Sequence, residues 1–183
     1  AGITIGAHIY SIKDIKDAPI DPVNISRQEL LTITTKAFPV INDSQGERMK
    51  AAIEEARRDR DSVGGIIECC SIGVPIGLGN PMFDGLENRL AQMVFGIPAV
   101  KGIEFGSGFQ GTEKRGSENN DPYTIKDGSI ALESNNSGGI LGGISTGMPI
   151  IFRAAIKPTP SIGKEQRSVS LSQNSQVSLS IEG

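Results

Sequence analysis

The sequence predicts an α+β fold, and three observations support this prediction. The chain has 183 residues, which is the size of a single domain. Runs with strand-type apolar patterns are separated by two segments that carry apolar residues at helical spacing. The 23 Gly and 10 Pro are too many for a helical bundle, and they lack the regular repeat of collagen. We therefore expect residues 1–183 to form a single α+β core.

The chain opens with a predicted strand over Gly2–Ile12. His8, the only histidine, falls on one face of this strand, and we interpret it as a surface or interface residue rather than a catalytic one. A lone His with no second ligand nearby cannot form the usual metal site. The opposite face is apolar, and we expect it to be the buried one, through Ile3, Ile5, Ala7 and Ile9.

The strongest helix pattern covers Ser44–Arg60. Ser44 and Glu47 have the spacing of a capping box. An apolar stripe follows at helical spacing, formed by Met49, Ala52, Ile53 and Ala56.

The last turn of this helix carries three arginines, Arg57, Arg58 and Arg60. Positive charge suits the C-terminal end of a helix dipole, and such a cluster is also able to bind phosphate. Because Asp59 and Asp61 alternate with the arginines, we favour a solvated helix end over a phosphate site.

The other predicted elements are assigned from the same periodicities. A second helix with Asp84 and Glu87 at cap spacing is predicted, and Ser26–Leu31 is a weaker helix candidate. The further strands are Gly64–Val74, Ala99–Phe105, Pro149–Ile156 and a polar hairpin within 169–181, and the second helix covers Asp84–Val94.

A glycine- and asparagine-rich segment occupies residues 102–147 and contains 11 glycines. Long segments with little regular structure inside a compact domain are usually functional or disordered. Paired glycines interleaved with apolar residues suit a backbone held close to a ligand. We predict that 102–147 is a loop region on the side of a bound cofactor.

Composition excludes several classes of function. The net charge is −3 and the chain has no Trp and only 8 Tyr and Phe (2 and 6), which argues against a nucleic-acid partner. No apolar stretch reaches the roughly 18 residues of a membrane span, and the N-terminus lacks signal-peptide character.

The adjacent Cys69 and Cys70 are expected to be reduced thiols, because neighbouring strand residues point to opposite faces. No metal site is predicted, and we expect a cytoplasmic protein.

No arrangement of residues indicates a catalytic nucleophile, so no catalytic residue is assigned. The residues that suggest a binding site are Lys157, at the end of a predicted strand, and the hydroxyl residues Thr159 and Ser161 that follow it in sequence. The glycine-rich segment precedes them. Backbone N–H groups, an ammonium and hydroxyls together suit a phosphate. From the residues alone, an ordinary loop-rich edge of the domain is an equally good interpretation.

Six motifs occur in order at 61–65, 73–79, 97–102, 116–121, 138–145 and 157–159. Their order and spacing resemble the central and later part of chorismate synthase. The resemblance is strong over Gly64–Ile162 and weaker on either side.

The resemblance implies a fold of antiparallel β-sheets sandwiching helices. It also implies an activity: 1,4-anti elimination of phosphate from 5-enolpyruvylshikimate 3-phosphate to give chorismate, in the shikimate pathway of aromatic amino acid biosynthesis. The enzyme family uses reduced FMN, is associated with NADP, and forms a cytoplasmic homotetramer. The sequence leaves open whether the parent enzyme reduces its own flavin.

The resemblance also transfers flavin-contacting residues to this chain. They are Pro98, Ala99, Gly142, Lys157, Pro158, Thr159, Pro160 and Ser161. Pro98 stands where many members have Asn, and Pro160 replaces a Ser, which removes one hydroxyl and one N–H donor. We expect Gly142 and Lys157 to line one pocket.

The N-terminal signature with its histidines and most substrate-binding arginines, and a later Arg-His-Asp motif, have no counterpart here. We therefore expect this polypeptide to be a truncated core of a longer chain and to be inactive alone. The alternatives are a non-catalytic module that binds flavin or phosphate, and an oligomerisation module.

Overall fold

A computed structural model describes residues 2–126 and 128–181 of the chain. The helices are α1 (Arg27–Thr34), α2 (Asp43–Arg58), α3 (Leu86–Phe95) and α4 (Gly116–Asn119). The strands are β1 (Thr4–Ile12), β2 (Ile15–Lys16), β3 (Gly65–Ile72), β4 (Val100–Phe105), β5 (Tyr123–Lys126), β6 (Ser129–Leu132), β7 (Ile140–Leu141), β8 (Ile144–Ser145), β9 (Ile150–Ile156), β10 (Gln166–Ser170) and β11 (Ser175–Leu179).

Five strands form the main sheet, in the order β2-β1-β3-β9-β4, and every neighbouring pair is antiparallel. Three two-stranded ribbons surround it: β5-β6, β7-β8 and β10-β11. The predicted α+β class with antiparallel sheets is confirmed. Within the described residues, no helix is both long and apolar enough to cross a membrane.

Helices cover both faces of the main sheet. On one face, α1 packs against β1, where the side chains of Leu30 and Thr34 leave no room for a Cβ at Gly6. The buried residues Leu30, Cys70 and Ile151 form the core of this face. On the other face, α3 covers β4 and β9 through a second cluster that contains Val94, Val100 and Ala154.

The predicted orientation of β1 is wrong. The face with Thr4, Gly6 and His8 is buried against the helices, whereas Ile5 is 71% exposed. His8 itself is 1% exposed, so its interpretation as a surface residue is also wrong. The cause is a set of polar partners for His8 and the close approach of α1 at Gly6, which together outweigh the apolar preference of the isoleucines.

The helix starts differ from the predicted ones. The N-cap of α2 is Asn42, whose side chain accepts a hydrogen bond from the Ser44 N–H. The predicted capping box of Ser44 and Glu47 is therefore wrong, and Glu47 pairs with Lys50 instead. The apolar stripe of α2 is confirmed through Met49, which is fully buried.

The structure also differs from the prediction at two places in the middle of the chain. The helix α3 begins at Leu86 after Gly85, and Asp84 belongs to a preceding 3₁₀ turn without a side-chain cap. The segment 102–147 has more regular structure than expected, since it contains the end of β4, α4 and four short strands. Its assignment to the cofactor side stays a prediction.

Candidate functional site

Residues 157–164 run along the loop that connects α2 with β3. The Ser62 hydroxyl donates to the Thr159 carbonyl at 2.7 Å, and the Lys164 N–H donates to the Arg60 carbonyl at 3.1 Å. The Lys164 ammonium also pairs with Asp59 and lies 3.6 Å from the Asp61 carboxylate. These contacts hold the predicted phosphate-binding segment against the motif at 61–65.

The Pro98-Ala99 pair meets the same segment from the other side. The Lys157 N–H donates to the Ala99 carbonyl at 2.9 Å. Ala99 adopts a left-handed backbone with φ 72°, a conformation that is uncommon for residues other than glycine. Strained backbone of this kind persists where the surroundings hold it in place, and it clusters at functional sites. The structure therefore brings two predicted groups of site residues together, one at 98–99 and one starting at Lys157.

Gly142 lies elsewhere, in the turn between β7 and β8, and a side chain there would meet open space. This hairpin is held by the motif at 73–79. The Ser145 hydroxyl accepts from the Leu78 N–H at 2.9 Å and donates to the Pro75 carbonyl at 2.6 Å. The Gly143 carbonyl accepts from the Leu86 N–H at the start of α3.

Asp121, at the end of the motif at 116–121, connects that motif to the residues just before the motif at 138–145. Its carboxylate accepts from the Ser134 hydroxyl at 2.6 Å and from the Asn136 and Ser137 N–H groups at 2.6 and 2.9 Å. Burial alone would raise the pKa of the Asp121 carboxyl, but these hydrogen bonds outweigh it and hold the pKa below its usual value.

The six motifs thus assemble into two groups at opposite ends of β9. One group contains Ala99 and Lys157, and the other contains Asp121 and Gly142. The seven residues of β9 separate them by about 20 Å of strand. The structure does not support the expectation that Gly142 and Lys157 line one pocket within this chain.

A cavity of 780 Å³ opens beside the Lys157 group. Its lining includes apolar side chains from α2, Ser161, the two arginines Arg57 and Arg60, and Asp61. Sites for small molecules have volumes of about 300–1,000 Å³ and combine apolar walls with a few polar groups. Cations and hydroxyls in such a lining are able to bind an anionic group such as a phosphate.

A row of charged residues crosses the sheet on the face covered by α1. His8 faces Glu68 on β3, Glu68 faces Arg153 on β9, and Arg153 faces Glu104 on β4. The Arg153 guanidinium donates to the Glu68 carboxylate through Nε at 2.8 Å and contacts Glu104 at 3.4 Å. The sequence analysis missed this row, although a charged residue inside each of three apolar strands was a usable signal.

The two ring nitrogens of His8 both face carboxylates. Nε2 lies 2.9 Å from Glu68 Oε2, and Nδ1 lies 3.2 Å from Asp17 Oδ2. Burial would raise the pKa of the Glu68 carboxyl, but the bonds from His8 and the Ile20 N–H, with the charge of Arg153, outweigh it, so the pKa lies below its usual value. The row therefore stabilises an ionised Glu68 in the interior.

The two cysteines are free, with Cys70 buried and Cys69 half-buried. Burial, with the nearby Glu68 charge, raises the pKa of Cys69 to about 11 and that of Cys70 to about 12. Such thiols stay protonated at neutral pH and are poor nucleophiles.

Comparison with known proteins identifies the family. A family model described as chorismate synthase matches residues 1–183. The chain belongs to the chorismate synthase family. The chorismate synthase of Lancefieldella parvula is 45% identical over 192 residues, covering 100% of this chain and 50% of that protein. The chorismate synthase of Pyrococcus abyssi is 47% identical over 182 residues, covering 100% of this chain and 49% of that protein.

The fold agrees with that of a solved chorismate synthase. That crystal structure has a TM-score of 0.77 at 33% sequence identity, covering 87% of this chain and 50% of that chain. The resemblance seen in the motifs is thereby confirmed. The chain spans about half the length of the chorismate synthases it matches.

Proposed function

We propose that this chain supplies part of a chorismate synthase, which converts 5-enolpyruvylshikimate 3-phosphate into chorismate and phosphate by 1,4-anti elimination. The family match over all of residues 1–183 is the observation that supports this proposal. The reaction places the protein in aromatic amino acid biosynthesis. The proposed setting is a cytoplasmic homotetramer.

The proposed cofactor is reduced FMN, which when bound supplies an electron transiently without net redox change. The Lys157 group is the part of the chain suited to hold it. The ammonium of Lys157 and the hydroxyls of Thr159 and Ser161 provide cationic and neutral donors for the flavin phosphate. Pro158 and Pro160 have no N–H to donate and instead restrict the backbone of the segment.

The remaining proposed contacts are Pro98, Ala99 and Gly142. The backbone hydrogen bond between Ala99 and Lys157 joins the first pair to the 157–161 segment, so these residues are proposed to orient a ligand as one unit. Gly142 leaves open space at its turn, which permits a close approach of backbone to ligand. Because it lies at the far end of β9, it contacts a different part of the flavin or a flavin held with another protomer.

FMN titration tests this proposal directly. Lys157→Ala should weaken FMN binding by about 1–3 kcal/mol, because it removes a cation that meets the phosphate. The measurement is quenching of flavin fluorescence by the 183-residue chain. Lys126→Ala on β5, an exposed lysine at the edge of a ribbon, is the matched control and should leave binding unchanged. Equal affinities of the two variants would refute the role of Lys157.

We also propose that the 183-residue chain does not turn over by itself. The site residues assigned here bind and orient, and none of them is placed to move a proton in the elimination. The assay supplies reduced FMN and 5-enolpyruvylshikimate 3-phosphate to the purified chain and measures chorismate by its absorbance. Chorismate formation above a heat-denatured control would contradict the proposal.

A further inference from the structure

The arginines at the end of α2 are explained neither by the fold nor by the role proposed for Lys157. Arg57 and Arg60 both line the 780 Å³ cavity, next to Ser161. The inner wall of this cavity is apolar and includes Ile53, Ala56 and Ile162. Asp61 also belongs to the lining, so the site is concave, with a carbon-rich interior and an edge that carries two arginines and one carboxylate.

The backbone at Arg60 has an unusual conformation for its residue type. Its φ is 56°, in the left-handed region, and the Asp61 N–H donates to the Ala56 carbonyl at 2.9 Å. This hydrogen bond across six residues is the pattern of a helix end at which glycine is the usual residue. An arginine here is strained.

The left-handed backbone places the Arg60 side chain over the Ser161 segment. A Cβ added to Gly163 would lie 2.8 Å from Arg60 Nε, so the guanidinium rests directly on the backbone of Gly163. The conformation of Arg60 therefore positions its charge at the opening of the cavity.

The surrounding charges leave this guanidinium available. Asp59 and Asp61, which alternate with the arginines in sequence, are engaged by the Lys164 ammonium. Within residues 2–126 and 128–181, no carboxylate oxygen lies within 4 Å of the Arg60 guanidinium. The acidic residues thus do not neutralise the basic edge through direct ion pairs with Arg60.

We propose that this cavity binds the phosphate monoester end of a ligand, with Arg60 as a cation that acts in addition to Lys157. The planar guanidinium matches two phosphate oxygens, the Ser161 hydroxyl adds a donor, and the apolar wall receives the carbon skeleton of the ligand. The identification of that ligand as FMN rests on the proposed function. The phosphate site itself requires only a phosphorylated compound, and 5-enolpyruvylshikimate 3-phosphate is the second source of the same group.

The first experiment compares FMN with riboflavin, which lacks the phosphate. The 183-residue chain should bind FMN more tightly. Arg60→Gln should weaken FMN binding roughly ten- to hundredfold and leave riboflavin binding unchanged. Arg58→Gln, on the same helix turn but outside the cavity lining, is the matched control and should bind FMN as the unaltered chain does. A parallel titration with 5-enolpyruvylshikimate 3-phosphate shows whether the substrate rather than the flavin uses the site.

A second variant separates binding from folding. Arg60→Gly relieves the left-handed strain, so it should raise the thermal midpoint by roughly 2–4 °C while weakening FMN binding. A residue with a purely structural role would lose stability in this variant. A lower melting temperature with unchanged FMN affinity therefore overturns the inference.

The outcomes also distinguish this inference from the proposed function. If FMN binds and Arg60→Gln leaves its affinity unchanged, the phosphate site is wrong and the flavin proposal stands. If FMN does not bind, but the phosphorylated substrate does and loses affinity in Arg60→Gln, the site stands without the flavin. Absence of binding by both compounds overturns the site.

Discussion

At the scale of single residues, the burial of polar groups has the largest effect on the stability of the fold. Glu68 has no exposed surface, yet it accepts hydrogen bonds from the Ile20 N–H at 2.7 Å and from Arg153. A buried carboxylate is tolerated only when charges and donors surround it. Arg153 supplies a charge from one neighbouring strand and His8 a ring nitrogen from the other, and the ring of Tyr10 covers the guanidinium at 4.3 Å.

The substitution Glu68→Gln tests this row. It keeps the shape of the side chain but leaves the Arg153 and His8 side chains without their shared carboxylate. We expect it to lower the free energy of unfolding by about 3–5 kcal/mol, as for other buried pairs that lose one partner. Urea denaturation followed by circular dichroism measures the change. Glu113→Gln, at an exposed position, is the control, and a similar small effect for both variants would show that the row contributes little.

At the scale of elements, β1 shows that a correct strand assignment does not fix its orientation. Alternation assigns two faces, but both faces of β1 carry residues able to be buried. Two sets of contacts determine which face of β1 packs against α1. Gly6 leaves room for Leu30 of α1, and His8 forms hydrogen bonds with Asp17 and Glu68. The isoleucines consequently face outward on the part of the sheet that α3 does not cover.

Alanine substitutions distinguish the two faces. Ile5→Ala should change the free energy of unfolding by less than about 0.5 kcal/mol, because Ile5 is 71% exposed. Ile151→Ala, in a side chain that is 4% exposed, should cost about 2–5 kcal/mol through lost burial and a cavity. Thermal denaturation of the two variants at one protein concentration measures both. If Ile5→Ala costs as much as Ile151→Ala, the face of β1 described here is incorrect.

At the scale of the whole molecule, two carboxylates far apart in sequence join separate segments. Glu68 joins three strands to the Ile20 segment, and Asp121 joins the α4 region to the turn at 134–137. Both have pKa values below the usual range for their residue types. Protonation of these groups should therefore weaken the packing of the molecule in more than one place.

The stability should consequently depend on pH in the acidic range. Because the folded chain prefers both carboxyls ionised, the unfolded chain takes up protons first as the pH falls. The free energy of unfolding should be constant above about pH 5 and decrease steadily at lower pH. Chemical denaturation at intervals between pH 7 and pH 3 measures this slope, and Asp121→Asn should reduce it. A stability that does not change over this range would contradict the role of the two carboxylates.

The candidate site was predictable in its residues but not in its arrangement. The Lys157 segment was recognisable from a cation and hydroxyls after an apolar strand, and its contact with Ala99 follows from the pairing of β4 with β9. The sequence also pointed to the arginines of α2, but it favoured a solvated helix end. Only the structure shows Lys164 engaging the aspartates and Arg60 lying on Gly163.

The sequence by itself determined the α+β class, the positions of the main helices and strands, and the family, because periodicity and motif spacing are local properties of the chain. The tertiary structure decided which face of β1 is buried, which end of β9 each motif occupies, and that His8, Glu68 and Arg153 form one row. These features depend on strand register and on contacts between distant residues, such as Glu68 with Arg153, 85 positions apart, and Ser62 with Thr159, 97 positions apart. Local pattern carries no information about such pairings, because their energies arise only once the strands and helices have packed.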